Sequence, residues 1–338
     1  MGCAELTEQE RVLFESIAAQ IGAARQIAIC GHTDPDGDAF GSNLALAMVI
    51  ERRWPGAQVR TLLADDAPIP AAYAAIPGAN RLERASGYDV APDLFISVDT
   101  PTPERLNLAR PVLERAADTV AIDHHPTMQQ FARTSLVRAS AASTGDIVYD
   151  FMSFLGVEPT REIATCILMA ILTDTGRYQY QNTDTHALRA SADMIDAGAS
   201  PAQIATWVYQ SDTISAMHLK ALAMERLRLD ATGQIALSYV MQEDLGRLGA
   251  CPSDCDGLID VVRAVGGVQG CAFFRERPDG TVRANLRSKG DLDVCSVART
   301  FGGGGHRAAA GLTVDGPMEQ AIERVIAALV DELARQGA

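Results

Sequence analysis

The chain has 338 residues, 47% of them hydrophobic, and a formal net charge of −14. That length accommodates two ordinary domains, each with its own core, while the longest apolar run, IATCILMAIL at 163–172, is too short to span a membrane. No basic stripe accompanies the acidic balance, which excludes a protein that grips long duplex nucleic acid through many phosphates.

The N-terminus MGCAELTEQERVLFE has no basic region followed by an apolar core, so no secretion signal is expected, and Leu6 breaks the myristoylation pattern. Seven cysteines (Cys3, Cys30, Cys166, Cys251, Cys255, Cys271, Cys295) form an odd, irregular set that suits a reducing, cytoplasmic setting. Cys251 and Cys255 have no second pair nearby and read as incidental to a loop rather than as zinc ligands.

Thr7 to Glu10 matches a capping box and opens a helix with apolar positions Val12, Leu13, Ile17, Ala18 and Ile21. QIAIC (26–30) reads as a strand buried on both faces, and FGSNLALAMVIERRW (40–54) as a helix stopped by Pro55 and Gly56. Strands are predicted at 58–64, 93–99 and 119–123. This βαβ rhythm implies a mostly parallel sheet with helices on both faces. Residues 142–210 read as helical apart from the aromatic stretch RYQYQNT, and 214–229 as a connecting helix.

A second, smaller α/β unit follows, with strands at 233–241, 268–288 and 311–316. The middle segment folds back at the hairpin signal PDG (278–280). Helices are expected at 256–265, 292–301 and 317–336. The expected division is a first domain over 1–210, a linker helix over 211–230 and a second domain over 231–338.

Acidic residues cluster where strands end. GHTDPDGD follows the first strand, Asp99 closes ISVD, and Asp123, His124 and His125 close VAIDHH; Asp174 ends a helical run. Ligands of parallel sheets collect beyond the carboxyl ends of the strands. Each cluster has a bland reading, a solvated turn or a helix cap. An EF-hand is excluded, because Ala39 and Ala45 stand where its frame needs Gly and Glu. Together, His32, Asp36, Asp38, Asp99, His124 and Asp174 supply four carboxylates and two imidazoles, enough to neutralise two divalent cations. Oxygen-rich ligation without thiolate points to Mn²⁺ or Mg²⁺, and the chemistry that suits such a pair is hydrolysis of a phosphate ester.

On these residues the chain resembles the DHH phosphoesterase family. HTDPDGD is similar to its first motif, VDT to the second, IDHHP carries the name-giving triplet, and TDTGRYQYQNT resembles the fourth. LRSKGDLDVCSVARTFGGGGHRAAAG is similar to the DHHA1 substrate-binding domain. The size and pairing resemble the bacterial branch of bifunctional oligoribonucleases and 3′-phosphoadenosine-5′-phosphate (pAp) phosphatases. The resemblance implies metal-ligand roles for the six residues above, with Asp99 and Asp174 as bridges and Asp34 as a turn residue. It implies that Asp123 orients the neighbouring imidazoles and that His125 contacts the scissile phosphate and protonates the leaving oxygen.

In the second unit, Gly302 to Gly305 with His306 is expected to form a phosphate-approaching loop, with Gly303, Gly304, Gly305, His306, Arg287 and Ser288 binding substrate; a tight turn packed on Ala308 to Ala310 is the alternative. Arg283 and Lys289 read as ordinary surface charges. Tyr178 and Tyr180 read either as base-stacking or as core aromatics.

The function so implied is metal-dependent hydrolysis of very short RNA to mononucleotides, of pAp, or of both, in a cleft between two domains that limits substrate length. Hydrolysis of cyclic di-AMP or pApA on the same scaffold is the alternative, and a nucleotide-binding regulator without catalysis is a third reading. The expected partners are short RNA or small nucleotides, with a homodimer implied by resemblance.

Overall fold

The computed structural model describes residues 6–255 and 257–336. Cys3 and the N-terminal motif before Leu6 lie outside the described residues. The chain divides into two compact units, Met1–Ser211 and Asp212–Ala338.

The first unit is built on six strands: β1 Gln26–Cys30, β2 Gln58–Leu63, β3 Leu82–Arg84, β4 Leu94–Val98, β5 Asp118–Asp123 and β6 Thr134–Val137. Their order is β3-β2-β1-β4-β5-β6, and every pairing is parallel. The helices are α1 Glu8–Ala23, α2 Gly37–Arg53, α3 Arg110–Arg115, α4 Thr144–Phe154, α5 Arg161–Asp174, α6 Thr185–Asp196 and α7 Pro201–Tyr209.

Alternate residues of β1 serve two cores. Ile27 and Ile29 pack with residues of α1, α2, α4 and α5, while Ala28 and Cys30 pack with Leu106, Val112 and Leu113 on the other face. Burial on both faces explains the continuous apolar run.

At α1 the capping box forms, with Glu10 N donating to Thr7 Oγ1 and Thr7 N to Glu10 Oε2. Its apolar face differs from the expectation: Val12 is 54% exposed, and Phe14 enters the core beside Ile17 and Ile21. α2 begins at Gly37 rather than at residue 40, because Asp36 caps it by accepting from the N–H groups of Asp38 and Ala39.

Helices α2 and α5 approach closely because α2 presents glycine to its neighbour. A methyl group at Gly41 would collide with the carbonyl of Cys166 and lie 3.0 Å from Ala170 Cβ; at Gly37 it would meet Thr173. Likewise Gly145 on α4 faces Ala170. This contact brings the N-terminus of α2, carrying Asp36 and Asp38, to the C-terminus of α5, where Asp174 stands.

Behind α4 lies a buried ionic cluster. Asp150 is bonded by Arg138, which also donates to Glu10 at 2.6 Å. His186 Nε2 lies 3.2 Å from Asp150 Oδ2 and 3.3 Å from Asp146 Oδ1. The hydrogen bond to Asp150 raises the His186 pKa, burial opposes it, and the charges of Asp146 and Asp150 add to the rise. Burial pushes Asp146 up to about 6.

The second unit holds a six-stranded sheet in the order β11-β12-β10-β9-β8-β7. The strands are β7 Arg228–Leu229, β8 Ile235–Val240, β9 Gly270–Glu276, β10 Thr281–Ser288, β11 Gly304–His306 and β12 Ala309–Asp315; the helices are α8 Ile214–Glu225, α9 Gln242–Leu248, α10 Leu258–Arg263, α11 Val294–Thr300 and α12 Met318–Gln336. Only β8 and β9 pair in parallel. The segment expected as a connecting helix over 214–229 ends as a helix at Glu225 and continues into β7, and α8 buries Leu219 and Ala223 among residues of β8, β9 and α10. One sheet face is covered by α8 and α10, the other by α11 and α12. Among the described residues no helix is long and apolar enough to cross a membrane, and six cysteines are free.

Gly41→Ala should destabilise the protein by about 1–3 kcal/mol through overpacking, whereas Gly56→Ala, with open space around it, should change stability by no more than about 0.5 kcal/mol; denaturant titration of both variants checks this. His186 should stabilise the fold fully below its unfolded pKa near 6.5, losing that contribution as pH rises through the raised folded value. His186→Gln should therefore lower Tm more at pH 6 than at pH 9, by about 1 kcal/mol equivalent at the lower pH, which calorimetry in EDTA will read.

Candidate metal centre

Three adjacent strands of the parallel sheet deliver the site. The strand order reverses between β1 and β4, where the crevice of an open α/β sheet forms. His32 and Asp36 follow β1, Asp99 follows β4, and Asp123, His124 and His125 lie at the end of β5.

Donor atoms of His32, Asp36 and Asp99 lie within 4.8 Å of one another, as do those of Asp38, Asp99 and His124, and those of Asp99, Asp123 and His125. Asp99 belongs to all three groups. Asp174 joins through His124, whose Nε2 stands 3.7 Å from Asp174 Oδ2, 3.6 Å from Asp99 Oδ1 and 3.7 Å from Asp38 Oδ2. The six expected ligand residues are thus brought together, with Asp99 central and Asp174 at the edge. Asp34 is apart from them: it is exposed, and its backbone N–H is tied to Asp65 at 2.8 Å.

The imidazoles face the carboxylates with Nε2. His32 Nδ1 lies 2.7 Å from the Thr33 carbonyl, and His124 Nδ1 3.3 Å from the Ala141 carbonyl. Placing the proton on each Nδ1 leaves each Nε2 lone pair aimed at the acidic cluster, as a metal-binding histidine requires. His125 is held differently: Asp123 Oδ1 accepts from its backbone N–H at 2.9 Å and faces its Nδ1 at 2.7 Å. Burial would lower the His125 pKa, but the bond to Asp123 and the charge of Asp99 raise it to about 9. Asp123 thereby fixes the orientation of the His125 ring.

Electrostatics divide the carboxylates. Burial pushes Asp38 well above the usual carboxylate range, and Asp99, Asp174 and Asp36 push it further. Burial likewise raises Asp174, to about 6, partly offset by His124. Asp99 would also rise on burial, but His32, His125 and His124 hold it far below the usual range. Carboxylates crowded this closely without water need positive charge. The donor set of acidic oxygens and imidazole nitrogens, with no thiolate, fits hard divalent cations.

Other residues shape the site. Thr144 N and Gly145 N, at the start of α4, donate to Asp38 at 2.7 and 2.9 Å, and Thr144 Oγ1 donates to Asp99 at 3.2 Å. Ser143-x-x-Asp146 matches a helix-start pattern and could have marked this spot. Asn182, inside the stretch TDTGRYQYQNT, donates to Asp174 Oδ2 at 3.2 Å, and Arg105 donates Nη2 to the Thr33 carbonyl at 3.1 Å, beside His32 Nδ1; nothing local in the sequence signals Arg105. Gly176, Arg177 and Tyr178, following Asp174, all have left-handed backbones. Tyr178 packs against the core, while Tyr180 sits where a Cβ on Gly176 would strike its ring.

In the second unit the glycine run forms an edge hairpin rather than a free loop. Gly304, Gly305 and His306 pair with Gly311, Ala310 and Ala309. Side chains at Gly303 and Gly305 would strike the backbone of β12, whereas nothing lies within 4 Å of a Cβ at Gly304. Ser288 is buried with its hydroxyl engaged by Gly290 at 3.0 Å. Arg287 donates Nη1 to the Leu286 carbonyl, and its buried Nε has no hydrogen-bond partner. Cys251 is exposed and faces Ser253 and Asp254, 3.1 and 3.2 Å away.

This parallel-sheet unit with a shared acidic centre, followed by a mixed-sheet unit with a glycine-rich edge, is the arrangement of a DHH protein, and the chain belongs to the DHH family. The model of the DHH family, N-terminal domain, matches residues 26–171, and that of the DHHA1 domain residues 233–335. The chain is 32% identical to the bifunctional oligoribonuclease and PAP phosphatase NrnA of Thermus thermophilus, across 98% of this chain and 96% of that protein. Among solved structures, an exopolyphosphatase-related protein from Bacteroides fragilis superposes with a TM-score of 0.88 at 22% identity, covering 96% of this chain and 98% of the other. RecJ from Thermus thermophilus in complex with Mn²⁺ gives 0.52 at 13% identity, covering 96% of this chain and 55% of that one.

Asp99→Asn should lower Mn²⁺ affinity by about 100-fold or more, since loss of a supporting residue alone typically costs 10–100-fold, while Asp34→Asn should change it by less than about twofold. Calorimetric titration of the metal-free protein measures both.

Proposed function

We propose that the chain is a two-metal phosphohydrolase acting on very short RNA and on pAp. The observation that carries this reading is the sharing of Asp99 between the His32–Asp36 group and the Asp38–His124 group. Two ions side by side would need one carboxylate held in common, and Asp99, which belongs to both groups, is suited to that place. His32 and Asp36 would hold one ion, Asp38 and His124 the other, with Asp174 completing the set.

Bound divalent ions supply Lewis-acid activation of water and of the phosphoryl group. The protein's own contribution is positional. Thr144, Gly145 and Asn182 fix the carboxylates, and His125, oriented by Asp123, would meet a phosphate oxygen and donate a proton to the leaving oxygen. In the second unit, Arg287 and the edge hairpin at 303–306 would receive the nucleotide. The names of the Thermus relative and the Mn²⁺ in the RecJ structure support the substrate class and the ion. The chain's net charge of −14 supports small substrates with few phosphates.

The test is a product-resolved assay on pAp, pApA, cyclic di-AMP and RNA of two to five nucleotides. Short RNA and pAp should be turned over in Mn²⁺, EDTA should abolish the reaction, and Mn²⁺ should restore it better than Zn²⁺. Turnover confined to cyclic di-AMP and pApA would reassign the substrate; undiminished hydrolysis by Asp99→Ala would sink the site.

A further inference from the structure

Strands β2 and β4 flank β1, so the loops that follow them frame the turn carrying His32 and Asp36. Within that turn Asp34 takes a left-handed backbone at φ 51, a conformation that persists where its surroundings impose it. On the β2 side, Asp65 Oδ2 accepts the Asp34 N–H at 2.8 Å and the Thr33 hydroxyl at 3.2 Å. On the β4 side, the Arg105 carbonyl accepts the Thr33 N–H at 2.8 Å, and Arg105 Nη2 donates to the Thr33 carbonyl at 3.1 Å.

Asp65 is itself held in place. Its Oδ1 accepts the Ala67 N–H at 3.1 Å, and Arg84, at the end of β3, donates to the carbonyls of Asp65 and Ala67. Thr33 thus has its N–H, its carbonyl and its hydroxyl all bound by the flanking loops, and that same carbonyl lies 2.7 Å from His32 Nδ1. Moving Thr33 would turn the His32 ring, whose Nε2 stands 3.5 Å from Asp99 Oδ2 and 3.9 Å from Asp36 Oδ1. The other group has different supports: Asp38 is held by the N–H groups of Thr144 and Gly145, and His124 faces the Ala141 carbonyl.

We propose that Asp65 is a positioning residue for one of the two ions only, aiming His32 through Thr33 and so setting affinity at the His32–Asp36 position, while the Asp38–His124 position depends on α4. This rests on the two-metal reading above. Among the described residues Asp65 belongs to none of the groups whose donor atoms converge, so its influence runs through the turn and not through a bond to the ion.

The experiment titrates Mn²⁺ into the metal-free full chain and reads free Mn²⁺ by electron paramagnetic resonance, which resolves successive binding steps. His32→Gln and Asp38→Asn identify which step belongs to which position. Asp65→Ala should weaken the step that His32→Gln weakens by about 10–100-fold, the usual loss when a residue supporting a ligand is removed, and shift the other by less than about threefold. Thr33→Val, which removes no charge, should weaken the same step, and Thr33→Ser, which keeps the hydroxyl, should bind both ions as wild type does. The double variant Asp65→Ala/Thr33→Val should lose no more than Asp65→Ala alone, because the two residues share one contact. Thermal melts of the metal-free proteins confirm folding, and Thr33→Val carries the test if Asp65→Ala does not fold. Equal weakening of both steps, or weakening only of the step assigned by Asp38→Asn, would overturn the proposal. If wild type binds two ions and Asp65→Ala binds them with unchanged affinities, this inference alone falls; if wild type saturates with one ion, the two-metal reading falls with it.

Discussion

Asp38, Asp99 and Asp174 carry like charge into a volume from which water is largely excluded, and the first unit is organised around keeping them there. Burial pushes the pKa of all three upward. What opposes it comes from separate parts of the chain: imidazoles after β1 and β5, backbone N–H groups at the start of α4, and the Asn182 amide beyond α5. The close approach of α2 and α5, which depends on Gly37 and Gly41, brings Asp38 and Asp174 to the same place. Helix packing and electrostatics are coupled there, because α2 and α5 carry Asp38 and Asp174 at their termini.

The second unit solves a different problem. Its sheet has two covered faces only where helices α8 and α10 reach; beyond Phe273 the face of β10 is polar. Glycines at 303, 305 and 311 keep backbone and the Arg283 guanidinium close where side chains would intrude. Glycine here serves close strand packing, whereas in the first unit it serves helix approach.

Much of this was legible in the sequence, for reasons specific to each element. β1 and β5 announce themselves because burial on both faces demands uninterrupted apolar residues, and the ligand cluster follows because Asp and His at strand ends have little structural reason to recur. β3 and β6 escaped because they are short and mostly half-buried, so their residues carry little pattern. Val12 and Phe14 show the limit of helical periodicity: both are apolar, and only the sheet's position decides which turns inward. Arg105 and Thr144 were invisible because their partners lie tens of residues away. The glycine run read as a loop because local sequence cannot reveal that β12 lies against it.

Asp99 itself sits in the left-handed backbone region at φ 52, a conformation that Asp and Asn tolerate better than other side chains. Its N–H continues the ladder by donating to Ile122 at 3.0 Å, so the neighbouring strand fixes where the chain turns. The central carboxylate is therefore aimed by the completed sheet and not by whatever it binds. The direction of that carboxylate is thus set by the pairing of β4 with β5.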